Sequence, residues 1–178
     1  MKTRYKKTFI DGVFEIYNES FKDERGVFMN SFRSQDKTYF ETWSGRDIKQ
    51  INISFRSYVG NICGLHLQRS KKGEAKLIRC LQGKIWDVAV DLRENSNTFG
   101  KWHSIELSPD EGNAILIPEG CAHGFQVINE NSQLIYIHSE EWIQDKETGI
   151  RWDDPKLNIK WPLPLTKISE RDLNLPYL

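Results

Sequence analysis

Two spacings in the chain place histidines where imidazole chemistry is possible. In one, Gly112 is followed after five residues by Pro118-Glu119-Gly120 and then, two residues on, by His123. The Pro and Gly make a tight turn between strands, so His123 is expected just past that turn. In the other, Gly60 is followed after five residues by His66, then Leu67 and Gln68, with Glu74 further on. Gln68 brings a carboxamide, a poor transition-metal ligand beside an imidazole. The two spacings thus keep two imidazoles without a full metal cage. Each histidine alone fits a hydrogen-bonded core residue equally well; two at these spacings weigh toward a site. His103 and His138 have no such context and read as ordinary.

The elements that must position these residues are short apolar runs broken by turn residues, the pattern of an all-β sandwich or barrel. Leu77–Leu81 and Ile85–Leu92 read as strands joined by Gln82-Gly83. In the second, Trp86, Val88 and Val90 fall on one face, and Ile85, Asp87, Ala89 and Asp91 on the other. Asp87, inside an apolar strand, is a candidate to orient a barrel histidine or Lys76. Ala114–Ile117 is another strand, and Asn52–Phe55 and Cys63–Leu67 are further ones. Gly124–Ile128 and Leu134–His138 are expected to pair around Asn129-Glu130-Asn131, with Leu134, Tyr136 and His138 on one face. Helix signals are weak: Gln35 to Trp43 predicts one or two turns, capped by Ser34 or Asp36. The stretch from Trp152 to Leu178 reads as short turns and extended segments packed on the barrel.

Composition narrows the class. Over 178 residues, 38% are hydrophobic and 28% charged, which fits a folded globular chain. Lys+Arg and Asp+Glu are both 25, so there is no basic excess for nucleic acid. The basic cluster Lys2, Arg4, Lys6 and Lys7 reads as a solvated tail. Phe9-Ile10 is too short an apolar core for a signal peptide, and no run approaches a membrane span. Three cysteines without a CxxC pair give neither a disulfide framework nor a zinc knuckle, so the cytosol is the expected compartment.

The two histidine spacings resemble the paired signatures of cupin barrels, of which the one around His66 is incomplete here: Gln68 stands in place of a second histidine and Glu74 sits at an imperfect spacing. The fold class expected is therefore all-β, a cupin (jelly-roll) β-barrel with short helical segments at the termini, as one domain over residues 1–178. A longer ordered series of motifs is similar to the dTDP-4-dehydrorhamnose 3,5-epimerase family from about Gly12 to Leu178. It includes Asp23-Glu24-Arg25-Gly26, Gly64-Leu65-His66-Leu67-Gln68, Lys76-Leu77-Ile78-Arg79 and Asp87 to Arg93. It continues through Ser96 to Gly100, Ile117-Pro118-Glu119-Gly120, Ala122-His123-Gly124-Phe125, Trp152-Asp153-Asp154-Pro155, Trp161-Pro162 and Ile168-Ser169-Glu170-Arg171-Asp172.

The resemblance implies an isomerase acting on a nucleotide-linked 4-keto-6-deoxy sugar, with no cofactor and no metal. The C4 ketone acidifies the hydrogens on C3 and C5, and inversion needs a base on one face of the ring and an acid on the other. By resemblance His66 is the base, held by Asp172; Lys76 stands by the enolate oxygen; Tyr136 returns the proton. Bland readings remain open for three of these: a surface lysine, a core tyrosine, and an exposed or capping aspartate in a tail. Arg25, Asn30, Asn52 and His123 match substrate-binding positions. Cys63 stands where the family has an arginine, Ile51-Asn52-Ile53 where it has Gln-Asp-Asn, Asn30 where it has a glutamate, and Glu141 where it has the first aromatic of a pair completed by Trp142. Loss of that arginine removes a bidentate diphosphate partner. The rewritten recognition shell leaves open another sugar, another nucleotide such as CDP or GDP, or inversion at one carbon. A metal-dependent cupin oxygenase or isomerase and a non-catalytic sugar-binding cupin are the rival classes, disfavoured by Gln68 and by the joint presence of His66, Lys76, Tyr136 and Asp172. A homodimer is expected, with neither nucleic acid nor membrane as partner.

Overall fold

A computed structural model describes residues 2–33, 36–43, 45–69 and 73–178. The chain begins with β1 (Thr3–Lys7), β2 (Phe14–Asn18), the hairpin β3 (Ser20–Asp23) and β4 (Gly26–Met29), and the short helix α1 (Lys37–Thr42). There follow β5 (Gln50–Arg56), β6 (Ile62–Gln68), β7 (Lys76–Gln82), β8 (Ile85–Asp91) and β9 (Trp102–Leu107). Then come β10 (Asn113–Ile117), β11 (Cys121–Val127), β12 (Ser132–His138), β13 (Glu147–Gly149) and the one-turn helix α2 (Glu170–Leu173). The strands form a six-stranded sheet, β1-β2-β10-β7-β12-β5, facing a five-stranded sheet, β13-β6-β11-β8-β9. The ladder pairings are antiparallel. This is the expected jelly-roll architecture. Of the two α-helices among the described residues, only α2 lies near a terminus.

The inner faces of both sheets and much of their outer faces are covered, which is why several strands read as nearly continuous apolar runs. Between the sheets lies a core of Ile78, Cys80, Ile115 and Leu134 from one side and Ile85, Ala89, Phe125 and Val127 from the other. On the outer face of the five-stranded sheet, Leu65, Val88 and Val90 pack under Leu157, Ile159 and Trp161 of the C-terminal segment. On the outer face of the six-stranded sheet, Leu77, Leu116 and Ile137 pack under Tyr39 and Trp43 of α1 and its C-cap. The alternation expected in β8 is present: Ile85 and Ala89 face the inner core, Val88 and Val90 the outer one. Asp36 caps α1, its carboxylate accepting from the Thr38 amide at 3.1 Å; Ser34 and Gln35, also read into that cap region, lie outside the described residues.

Two expectations are corrected. Gly124–Ile128 and Leu134–His138 do not pair with each other. β11 is hydrogen-bonded to β6 and β8, and β12 to β5 and β7, so the turn at 129–131 carries the chain from one sheet to the other. The basic N-terminal cluster is not a solvated tail. Arg4, Lys6 and Lys7 belong to β1, the edge strand, where Lys6 pairs with Glu15 at 3.0 Å and Arg4 lies over the Tyr17 ring. Charge on an edge strand also discourages further strand pairing.

Gly64 on β6 shows why this strand can lie so close to β11. Its φ is +108°, and a Cβ there would come within 2.6 Å of the His123 carbonyl oxygen and 2.7 Å of the Gly124 Cα. Gly64→Ala is expected to destabilise the protein by at least about 2 kcal/mol through backbone strain and the clash. Urea unfolding would show this, and a midpoint equal to wild type would contradict it.

Candidate active site

At one end of the barrel the inner faces of the two sheets separate into a cleft of about 990 Å³. The antiparallel register decides what enters it. On the five-stranded sheet, His66 of β6 and His123 of β11 are direct cross-strand partners, so their side chains share a face. On the six-stranded sheet, β12 pairs His138 with Lys76 of β7 and Tyr136 with Asn52 of β5. His66, Lys76, His123, Tyr136, Asn52 and Asp172 all line the cleft.

The His66 ring is held by the C-terminal segment. Its Nε2 lies 2.7 Å from Asp172 Oδ1, while Asp172 Oδ2 accepts from the Gly64 amide at 3.0 Å. Asp172 is in α2, whose first turn is capped by Ser169, and it is almost fully buried. Burial pushes its carboxyl upward, but the His66 hydrogen bond and charge, the Gly64 amide and Ser169 outweigh that and hold it below the ordinary value. Asp172 is therefore favoured as the carboxylate behind the ring. His66 Nδ1 makes no hydrogen bond among the described residues, which leaves it open to a ligand.

His123 is held in the same manner from β8: its Nε2 lies 2.8 Å from Asp87 Oδ2, and Asp87 is fully buried. The expectation that Asp87 orients a barrel histidine matches this contact. Lys76 is 8% exposed and pairs with Glu74 at 3.1 Å. Glu74 also meets His138 Nδ1 at 2.8 Å. Burial raises Glu74, but His138 and Lys76 together pull it below its ordinary value, so a buried carboxylate links two cleft residues. Tyr136 is stacked against His138, with ring centroids 6.0 Å apart, and meets His123 edge-on at 5.9 Å. Burial pushes its phenol well above the ordinary value, so it is protonated and able to donate. Its hydroxyl has no hydrogen-bond partner among the described residues.

Gln68 has a definite task. Its Nε2 donates to the Glu141 carbonyl at 3.0 Å and its Oε1 accepts from the Ile143 amide at 2.7 Å, clamping the loop that carries Trp142. Trp142 sits on the rim, its amide donating to Gln50 and its indole to Glu147. Among the described residues no group of three or more His, Cys, Asp or Glu is arranged to hold a metal ion.

Two sequence-derived candidates lie elsewhere. Arg25, in the turn of the β3–β4 hairpin, is exposed and paired with Asp23, and Asn30 follows β4; neither lines the cleft. His138 is corrected in the other direction. It is a buried cleft residue bridged to Lys76 through Glu74, and its place opposite Lys76 follows from a strand register that spacing alone does not reveal. Arg56, at the end of β5, also lines the cleft and carries no sequence motif. His103, read as ordinary, contacts Glu15 at 3.1 Å outside the cleft.

Comparison with known proteins points to one family. The family model described as dTDP-4-dehydrorhamnose 3,5-epimerase matches residues 7–178. A dTDP-4-dehydrorhamnose 3,5-epimerase of Methanothermobacter thermautotrophicus is 40% identical over 96% of this chain and 92% of its own. The crystal structure of the Elizabethkingia anophelis enzyme of that name superposes with a TM-score of 0.89 at 38% identity, covering 98% of this chain and 96% of the other. The Legionella pneumophila 3,5-epimerase in complex with dTDP-4-keto-L-rhamnose gives 0.90 at 34% identity, covering 99% and 93%. The jelly-roll fold, the facing sheets and a match across nearly the whole chain agree: this protein belongs to the dTDP-4-dehydrorhamnose 3,5-epimerase family.

Proposed function

We propose that the cleft epimerises a nucleotide-linked 4-keto-6-deoxy sugar, with dTDP-4-keto-6-deoxyglucose as the default substrate, by removing and returning protons beside the C4 ketone. The observation that carries this reading is the His66–Asp172 dyad in one cleft with a protonated, unpaired Tyr136 phenol and the Lys76 ammonium. His66 takes the proton through the nitrogen not engaged by Asp172, and the carboxylate stabilises the imidazolium that forms. Lys76, on the opposite sheet, meets the negative charge that develops on the ketone oxygen, in a partly dry site where such a contact is strong. Tyr136 hands a proton to the other face of the ring. Each event moves only a proton, and the electron pair stays on the sugar as an enolate.

Incubation with dTDP-4-keto-6-deoxyglucose in deuterated water, followed by NMR, tests this. Deuterium at C3, C5 or both, with inversion, supports it, and the labelled positions distinguish double from single epimerisation. No label from dTDP-, CDP- or GDP-linked keto sugars overturns it. The reaction is also expected to run without a transition metal. Gln68 is committed to the 141–143 loop, and His66 and His123 are each committed to a carboxylate. Elemental analysis should find no stoichiometric metal, and activity should survive EDTA. One metal per chain with chelation-sensitive turnover would refute this.

The assembly we propose is a homodimer. Phe21, Val27 and Phe28 are exposed on the β3–β4 hairpin, and Ile51, Ile53 and Phe55 on the outer face of the edge strand β5, which is a large apolar display for a monomer. In a dimer the hairpin would carry Arg25 and Asn30 toward the partner's cleft. We place the enzyme in the cytosol, where its three free thiols would remain reduced. Among the described residues no helix is long and apolar enough to cross a membrane.

A further inference from the structure

Gln50, at the start of β5, holds Trp142, while Arg56 ends the same strand, about 20 Å away along an extended chain. Asn52, Ser54 and Arg56, at alternate positions whose cross-strand partners in β12 include Tyr136 and Leu134, all line the cleft. The Arg56 guanidinium has an unusual environment. Its Nη2 lies 3.7 Å from the Cys63 sulfur and its central carbon 5.8 Å from the centre of the Phe125 ring. Its Nε is buried without a hydrogen-bond partner. Among the described residues no carboxylate lies within ion-pair distance of it. Three other cations at or beside the cleft are neutralised: Lys76 by Glu74, Arg171 by Glu147, and Arg46 by Glu119 and Glu140. The neighbouring thiol does not serve, because burial pushes Cys63 up to about 11 and leaves it uncharged near neutral pH.

A guanidinium placed against a neutral thiol and an aromatic ring, with a dry unused donor, is a costly arrangement unless an anion completes it. A second cation lies at the same end. Lys167 also lines the cleft, forms an isolated bridge with Asn61 just before β6, and rests its ammonium over the Tyr58 ring at 4.6 Å. It too has no carboxylate within ion-pair distance among the described residues. By the resemblance drawn from the sequence, Cys63 stands where the family pattern has an arginine, and the Arg56 fork reaches that sulfur from the neighbouring sheet.

We infer that Arg56, assisted by Lys167, forms the subsite that grips the diphosphate of the nucleotide sugar, so that the lost arginine of β6 is replaced in space from β5. A planar fork suits paired phosphate oxygens, and a flexible ammonium adds charge beside it. The inference rests on the nucleotide-sugar reading above and names the residues that would set its phosphate recognition.

The test measures binding of dTDP and dTMP by calorimetry, together with KM and kcat on the keto sugar, for wild type, Arg56→Gln and Arg56→Lys. Arg56→Gln should weaken dTDP by about 10- to 100-fold, the range for hydrogen bonds to a charged group. It should weaken dTMP less, and raise KM more than it lowers kcat. Arg56→Lys keeps the charge without the fork and should fall between. Adding Cys63→Arg to Arg56→Gln should restore dTDP affinity, which a merely structural role for Arg56 would not allow. Affinity for dTDP within twofold of wild type in both variants overturns the inference. Should Arg56→Gln not fold, Arg56→Lys decides alone, and unchanged dTDP binding in it is equally fatal. Wild-type protein that labels no keto sugar in deuterated water defeats the epimerase reading instead, and so separates the two failures.

Discussion

Replacing His66 by alanine or asparagine should abolish the entry of solvent deuterium into the substrate, with a loss of ~10²–10⁴-fold or more. In the proposed mechanism the imidazole is the only base, and its partner is fixed: Asp172 lies 2.7 Å from Nε2 and remains ionised. Asparagine is the sharper variant, because it keeps a polar group near Asp172 while removing the basic nitrogen. Binding of dTDP should change little, since the proposed diphosphate subsite at Arg56 and Lys167 lies elsewhere in the cleft. A His66→Asn enzyme that exchanges deuterium at nearly the wild-type rate would remove this residue from the chemistry. A parallel loss in Lys76→Ala is expected for a different reason, because the enolate would form without a cation beside it.

Tyr136→Phe should separate two events that normally travel together. Abstraction by His66 survives, so deuterium still enters; return from the opposite face is impaired, so inversion falls by ~10²–10⁴-fold. The substitution leaves the ring and its stacking on His138 in place and removes only the phenol, which has no hydrogen-bond partner among the described residues. Stability should therefore change little, and kinetics alone should report the effect. Exchange and inversion are measured on the same NMR sample. Equal loss of both would assign Tyr136 to packing or substrate binding, and no loss of either would exclude it as the acid.

The sequence makes the inner machinery more legible than its surroundings, and the reasons are physical. His123 is announced by the Pro118-Gly120 turn beside it, and β7, β8 and β10 by compact apolar runs. Asp172 is another matter. It meets His66 across 106 residues, and nothing local in Ser169-Glu170-Arg171-Asp172 marks a buried carboxylate; only resemblance to the family singled it out. β1 was obscured by its lysines, because an edge strand can expose charge and still hydrogen-bond along its length. The false pairing of β11 with β12 has a similar origin. A short Asn-rich turn between alternating strands suits a hairpin, yet it equally suits an arch joining two sheets that share a core, and Asn131, at a φ of 56°, serves either. Arg56 and His138 were invisible as site residues because their importance lies in what faces them across the barrel.

The reach of α2 ties catalytic competence to the order in which the molecule assembles. Asp172 closes onto Gly64 and His66 only when the segment after β13 has crossed the outer face of the five-stranded sheet and laid Leu157, Ile159 and Trp161 there. A chain with both sheets formed and that segment undocked would contain every strand-borne catalytic group and still hold an unsupported imidazole. Contacts of such long sequence separation carry a large closure cost and slow folding. In a refolding experiment, then, recovery of deuterium exchange should trail recovery of the far-ultraviolet β signal, making turnover a clock for the final docking event.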